Sequence, residues 1–541
     1  MHFASKKRTA FNQQLFKTYM ELDNWHRFRF RLFLEGIVIG ILGGLAISLF
    51  RFLLELANGL RLYAYEMYLV PALQERNPSL PLLWLCGLAL AAFVLYLMAR
   101  HAPMASGSGI PQVKGVILGL FRMRWLRILW VKIAAGALAI GAGLSLGREG
   151  PSIQIGATCA QGFSRLLGRT RMEERYLITS GASAGLAAAF NAPLAGMMFA
   201  LEELHRNFSG AVLLPTMASA VTATIVTRLF FGSGTSFSFA PLQPLPVPLM
   251  GYVFLLAVLC GMGGILFNKG LLSVGVFYNL RIFKNQYVKI LFALLIAFVL
   301  GFALPDVLGG GNLLVNALAK GGFTVSFLLL LLAGKYMFTL ISYGCGVPGG
   351  FFLPLLVLGA LIGSAFANAL EAAGFLAAEF VPNMIIFGMA ALFAASIRSP
   401  ITGTLLILEM TGDFDHLMPL ALASAVAYVT AGLLKGEPIY DALLKQSIQK
   451  DSVSVITDER TIVEVPVASG SPIENKPVSE LPLFHQTLLV NIKRGRENKI
   501  PDPDTRIRAG DFLYILTETK NAAALAKLGS PAIPKDRVRS L

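Results

Sequence analysis

Long apolar stretches dominate the chain as far as residue 434. They lie near 32–57, 82–99, 126–146, 178–201, 212–231, 247–274, 287–304, 323–342, 351–370, 384–408 and 416–434. Several reach the ~20 residues that a membrane-spanning helix needs, whereas others are short or interrupted by Gly and Pro. Interrupted segments survive at membrane depth only where they are buried in protein or line a cavity. The pattern therefore predicts an all-α polytopic body of transporter or channel type rather than a simple anchor. After about residue 440 the pattern changes to short β-branched runs, Thr461–Val467, Leu488–Ile492 and Asp511–Leu516, separated by turn-rich segments. These read as strands, with Asn521–Leu528 as a helix, and predict a small α+β domain.

Composition fits this reading. The 541 residues are 55% hydrophobic and 14% charged, with a mean hydropathy of +0.65. Soluble chains carry about 25% charged residues, so a single water-soluble globule is excluded, and so is disorder. The net charge of +15 is spread over many short loops with no basic stripe interleaved with stacking aromatics, which argues against a nucleic-acid partner. In a lipid bilayer such an excess marks cytoplasmic loops. Residues 1–31 are basic and lack an apolar signal core, which predicts a cytoplasmic N-terminus. The C-terminal domain falls on the same side if the crossings are even. Cys86, Cys159, Cys260 and Cys345 are far apart in apolar stretches and read as small buried hydrophobes. No metal-ligand spacing or His-Glu-x-x-His motif occurs, so neither an enzyme nor a cofactor is expected. A potassium-uptake role would need a Thr-Val-Gly-Tyr-Gly filter, which is absent.

The apolar part contains an internal repeat. Pro193, Gly196 and Glu202 recur at Pro400, Gly403 and Glu409 with an offset of 207, and Gly147, Pro151 and Gly156 recur at Gly350, Pro354 and Gly359 with an offset of 203. Repeats of this kind build transporters whose site lies between halves, on discontinuous helices. Within the repeat, three segments share a glycine-rich turn followed by proline: Gly107–Pro111, Gly147–Pro151 and Gly350–Pro354. Proline favours the first turn of a helix. Each segment thus reads as a helix start whose free N–H groups and positive dipole end face the turn. Converging, such ends would bind an anion selectively yet reversibly.

Those three segments, together with Tyr440 after Gly436-Glu437-Pro438-Ile439, resemble the signature segments of the CLC chloride channel and transporter family. The Ala187–Glu203 stretch is similar to that of its bacterial members. The resemblance covers residues 32–445 and implies a homodimer in the lipid bilayer, each subunit with its own anion pathway. It implies two inverted repeats, about 32–230 and 247–445, after a cytoplasmic segment 1–31 and before a cytoplasmic domain 446–541. Ser108 and Tyr440 match the hydroxyls that coordinate chloride, and Phe351 and Phe352 match positions that offer backbone N–H groups. Glu149, between glycines at a helix start, matches the external gating glutamate. A carboxylate inside an apolar body is expensive unless it serves function; pairing with adjacent Arg148 is the structural alternative. Gly150 belongs to the same turn.

By pattern alone Glu202 and Glu203 could form a solvated helix end beside His205 and Arg206. The resemblance assigns proton transfer to Glu203, which channel members lack, and leaves Glu202 in support. Lys132 and Arg148 read as long-range attraction for anions or as snorkelling side chains. Gln112 and Lys114 depart from the family pattern, standing where characterised bacterial exchangers carry glutamates. Together these features imply a proton-coupled chloride antiporter of a prokaryotic cytoplasmic membrane, with a passive chloride channel as the alternative. The stretch Thr461–Leu516 resembles the C-terminal half of RCK regulatory domains (TrkA-C-like), which implies a dimerising sensor for a small-molecule regulator or a passive dimer clamp.

Overall fold

The computed structural model describes residues 2–450 and 460–518, apart from 76, 207, 238, 240–241, 469, 482, 484–486 and 495–496, together with 521 and 525. It divides into two compact units at Gln446/Ser447. Among the described residues of the first unit, the α-helices of seven or more residues fall into two series of eight and a closing helix. The first series is α1 (His2–Ala64), α2 (Ser79–His101), α3 (Ile110–Ile117), α4 (Trp125–Gly141), α5 (Glu149–Leu166), α6 (Arg171–Phe190), α7 (Pro193–Phe199) and α8 (Gly210–Phe231). The second is α9 (Met250–Phe277), α10 (Gln286–Ala303), α11 (Asn312–Lys320), α12 (Val325–Gly344), α13 (Phe352–Ala372), α14 (Val381–Ile397), α15 (Pro400–Thr411) and α16 (Leu417–Leu433), after which α17 (Ile439–Lys450) closes the unit.

Among the described residues eight helical segments are long and apolar enough to cross a membrane. Their burial is graded: the span ending α14 is 89% buried and that of α2 only 22%. On α2 the leucines Leu82, Leu83 and Leu90 stand exposed, as expected where the solvent is lipid rather than water. Cys86 is exposed on the same helix, Cys159 half-buried, and Cys260 and Cys345 buried. The expectation that all four are buried therefore fails for Cys86, whose apolar surroundings are the outer surface of the body.

The apolar stretches 178–201 and 384–408 each turn out to contain two helices. Asn191 and Arg398, 207 positions apart, both adopt the left-handed conformation (φ 59° and 73°) and end α6 and α14. The turns are masked in the sequence because the residues on both sides are apolar. Conversely α5 is too rich in Ser, Gln, Thr and Gly to register as an apolar stretch, yet it is almost wholly buried against other helices.

The two series exchange reciprocal contacts. Gly147 and Gly350, which are repeat mates, bridge each other: Gly147 N donates to Gly350 O (2.5 Å) and Gly350 N to Gly147 O (2.9 Å). Glu202 accepts from the amides of Ile401 and Thr402 (3.3 and 2.8 Å) at the start of α15. Its mate Glu409 accepts from Leu194 and Ala195 (3.1 and 2.8 Å) at the start of α7. Each carboxylate satisfies orphan donors of the opposite half where the dipole favours negative charge.

The second unit contains a four-stranded antiparallel sheet among its described residues, β1 (Arg460–Pro466), β2 (Leu488–Arg494), β3 (Glu497–Lys499) and β4 (Asp511–Glu518), in the order β1-β4-β2-β3. Val465, Leu489, Ile492, Leu513 and Ile515 form its core with Ile473 and Ile507. Buried and more open positions alternate along β4, so one face is packed. The helix expected at Asn521–Leu528 lies largely outside the described residues.

Candidate functional site

The three glycine-rich turns meet. Gly107 N donates to Val347 O and Gly349 N to Gly107 O, both at 3.0 Å, so the turn before α3 is stitched to the segment before α13. The turn before α5 is stitched to the same segment through Gly147 and Gly350. A side chain on Gly150 would place its Cβ 2.4 Å from Ser108 Oγ; only glycine permits α5 to start this close to Ser108. Phe351, at the start of α13, stacks on Tyr440 with ring centroids 5.4 Å apart, and Tyr343 packs edge-on against Phe351 at 5.2 Å. Phe352 is wedged against Phe190 and Phe393. Ser108, Phe351, Phe352 and Tyr440 are thereby gathered at helix starts and are all buried.

Within this cluster the Ser108 Oγ and Tyr440 hydroxyls make no hydrogen bond. Buried hydroxyls without partners are uncommon because each costs about 1–3 kcal/mol. Beside amides that head a helix, these two hydroxyls are free to donate to an anion.

Glu149 is completely buried. Its Oε2 is 2.3 Å from the Cβ that a side chain on Gly147 would carry, so the carboxylate folds back over that glycine towards the amide of Leu353 in the first turn of α13. Neither oxygen has a hydrogen bond of ordinary geometry. The structural alternative, a pair with Arg148, is a loose contact of 3.9 Å. Arg148 instead lines a cavity of 690 Å³ with Arg51, Arg61 and Leu353.

Glu203 lies in a π-helical turn, Ala200–His205, that continues α7; such widened turns recur at functional sites. Only 1% of the residue is exposed, so it is not a solvated helix end. Lys114 Nζ lies 2.6 Å from Glu203 Oε1 and 2.6 Å from Asp441 Oδ1, while Arg206 Nη2 lies 2.8 Å from Asp441 Oδ2 and 3.8 Å from Glu203 Oε2. A second cavity, of 460 Å³, opens at Glu203, Arg206 and Asp441. Glu202 points away, onto the start of α15.

Lys132 is fully buried, and its ammonium donates to Ala105 O (2.9 Å) and Gly107 O (2.7 Å). That excludes snorkelling and makes it a clamp on the Ser108 turn. Sequence reasoning missed its repeat mate Lys335, which donates to Val307 O (2.9 Å) and Gly309 O (2.8 Å), although the same offset of 203 would have found it. Asp441 and Tyr343 were missed as well. Gln112 donates to Ser106 O at 3.3 Å.

Comparison with known proteins places these features. Residues 86–432 match the family described as voltage gated chloride channel, and residues 462–528 match the TrkA-C domain. The H(+)/Cl(-) exchange transporter ClcA of Vibrio cholerae is 35% identical over 441 residues, 78% of this chain and 91% of that protein. Its counterpart in Vibrio vulnificus is 37% identical over 440 residues with the same coverage. A slow cyanobacterial Cl-/H+ antiporter of known structure superimposes with a TM-score of 0.71 at 32% identity, covering 78% of this chain and 99% of that one. A CLC-type fluoride/proton antiporter shares the fold, with a TM-score of 0.61 at 24% identity. The chain is a multi-pass membrane protein of the CLC chloride channel and transporter family, with a C-terminal TrkA-C domain.

Proposed function

We propose that this chain is a proton-coupled chloride antiporter of the cytoplasmic membrane. One observation carries the reading: two buried carboxylates, Glu149 and Glu203, accompany two buried hydroxyls without hydrogen-bond partners, Ser108 and Tyr440. Chloride accepts hydrogen bonds from Ser108, Tyr440 and the amides of Phe351 and Phe352, which hold it without a fixed countercharge. Ionised Glu149 occupies the adjacent anion position against the start of α13 and so competes with chloride. Protonation removes that charge, the side chain leaves, and the ion passes; one group thus couples the two fluxes. Glu203 passes protons between the cavity beside Asp441 and the interior. Arg148 enriches anions at the opposite mouth.

The protein works as a homodimer with a pathway in each subunit, both termini cytoplasmic, and the TrkA-C domain takes a small-molecule regulator. Similarity to the ClcA exchangers and to the cyanobacterial antiporter supports the exchanger over a passive channel. The test is the reversal potential of purified protein in liposomes under combined chloride and pH gradients. An exchanger responds to both gradients, whereas a channel follows chloride alone. Glu149→Gln should abolish chloride-driven proton transport while chloride flux persists with little pH dependence; continued proton pumping would refute the gate.

A further inference from the structure

The four charges around Glu203 balance, two cations against two anions, but the arrangement is not symmetric. Lys114, from α3, sits equally close to two carboxylates, 2.6 Å from each, and is itself buried. Glu203 is buried as well, whereas the Asp441 side chain is 25% exposed and lines the 460 Å³ cavity. Asp441 has a second cation, Arg206, at 2.8 Å; from Glu203 the same guanidinium is 3.8 Å away. The remaining polar groups near Glu203 are otherwise engaged. Glu202 is spent on Thr402, and Arg398 donates to the carbonyl oxygens of Tyr428 and Gly436; the exception is Ser399, whose Oγ donates to Glu203 Oε2 at 3.5 Å. His205 turns to Thr179.

We propose that Lys114 is a positioning residue that controls proton entry to Glu203 by moving between two partners. Paired with Glu203, the ammonium holds that group as a carboxylate and keeps protons off it. Shifted fully onto Asp441, it leaves Glu203 free to accept a proton arriving through the cavity. Asp441 is therefore the counter-anion that releases Glu203. Because Asp441 follows Tyr440 directly in the first turn of α17, the partner exchange pulls on the same turn that carries the phenol of the anion pocket. Proton occupancy on this side is thereby tied mechanically to the chloride site. The inference rests on Glu203 being the proton-transfer residue.

A cation at hydrogen-bond distance moves a carboxylate's titration by about one to three pH units, which fixes the sign and size of the test. Proton and chloride fluxes of the full-length protein in liposomes are measured against pH on the cavity side. Lys114→Met removes the cation at nearly constant volume. The half-point of proton transport should move to higher pH by about one unit or more, with the proton-to-chloride ratio retained. Asp441→Asn removes the competing anion, so Lys114 settles on Glu203 and the half-point should move to lower pH. Lys114→Arg should stay close to the parent. A merely structural role would lower both fluxes together without opposite displacements. Shifts of the same sign in Lys114→Met and Asp441→Asn, or none, overturn the proposal. Glu203→Gln separates the two readings: if it stays coupled, the proton-transfer assignment fails; if it uncouples while the Lys114 profile does not move, only the switch fails.

Discussion

Replacing either buried lysine by methionine should cost the protein similar stability, but only one replacement should weaken chloride binding. Lys132 and Lys335 each donate from a buried ammonium to two backbone carbonyls, at 2.7–2.9 Å in one case and 2.8–2.9 Å in the other. A hydrogen bond from a charged donor contributes about 1.5–3 kcal/mol, so two give about 3–6 kcal/mol gross. Methionine keeps the volume and removes the cost of burying the ammonium, which offsets part of this. A net loss of about 1–3 kcal/mol is expected for each variant. Gly107 O, held by Lys132, precedes Ser108; Gly309 O, held by Lys335, precedes Gly310, which has no hydroxyl. Loosening the first turn should misplace one hydrogen bond to chloride, worth about 1.4 kcal/mol or tenfold in affinity. Loosening the second should leave affinity within about twofold. Chloride titration calorimetry and thermal unfolding in detergent measure the two quantities separately. Equal weakening by both variants would show that the ammonium acts through its field, not through the turn that it clamps.

Two further outcomes follow from the geometry. Ser108→Pro removes the unpartnered hydroxyl and a backbone donor at once, so flux assays should show nitrate gaining on chloride; an unchanged ratio would place selectivity elsewhere. In the TrkA-C domain, burial of Asp511 is outweighed by two hydrogen bonds from Arg494 (2.8 and 2.7 Å) and one from the Arg508 amide (2.8 Å), which hold its carboxyl below the usual carboxylate range. A depressed value contributes stability above the unfolded-state pKa, about 3.9, and loses it as pH falls below that. Amide exchange of β1 and β4 in the full-length protein should accelerate below about pH 4, and Asp511→Asn should accelerate it already at neutral pH.

How legible all this was in the sequence depended on scale. The glycine-proline segments are local, so Gly107, Gly147 and Gly350 announced their helix starts, and the β-branched runs announced β1, β2 and β4. The offset of 207 linked Glu202 to Glu409, but that each caps the helix leading to the other is a property of two segments meeting in space. Eight-residue α3 and nine-residue α11 are too short for periodicity to reveal. The Lys114–Asp441 contact joins positions more than 300 residues apart. In the sequence Lys114 stands out only against the family pattern, as a lone cation among apolar residues; its pairing with Glu203 and Asp441 is a matter of packing.

The reciprocal bridge between Gly147 and Gly350 carries a consequence for experimental design. Where a residue and its mate in the other series are alike, as with the two lysines and the two capping glutamates, the position serves the frame. Where they differ, as with Ser108 against Gly310, Glu149 against Phe352 and Glu203 against Met410, the side chain proposed to handle ions occurs in one copy alone. Each such position therefore comes with a comparison inside the same polypeptide: the same backbone setting, the same surroundings in broad outline, and a different side chain. Transplanting a side chain from one member of a pair to the other asks what the residue adds beyond the setting, a question that ordinary substitution leaves mixed with damage to the fold.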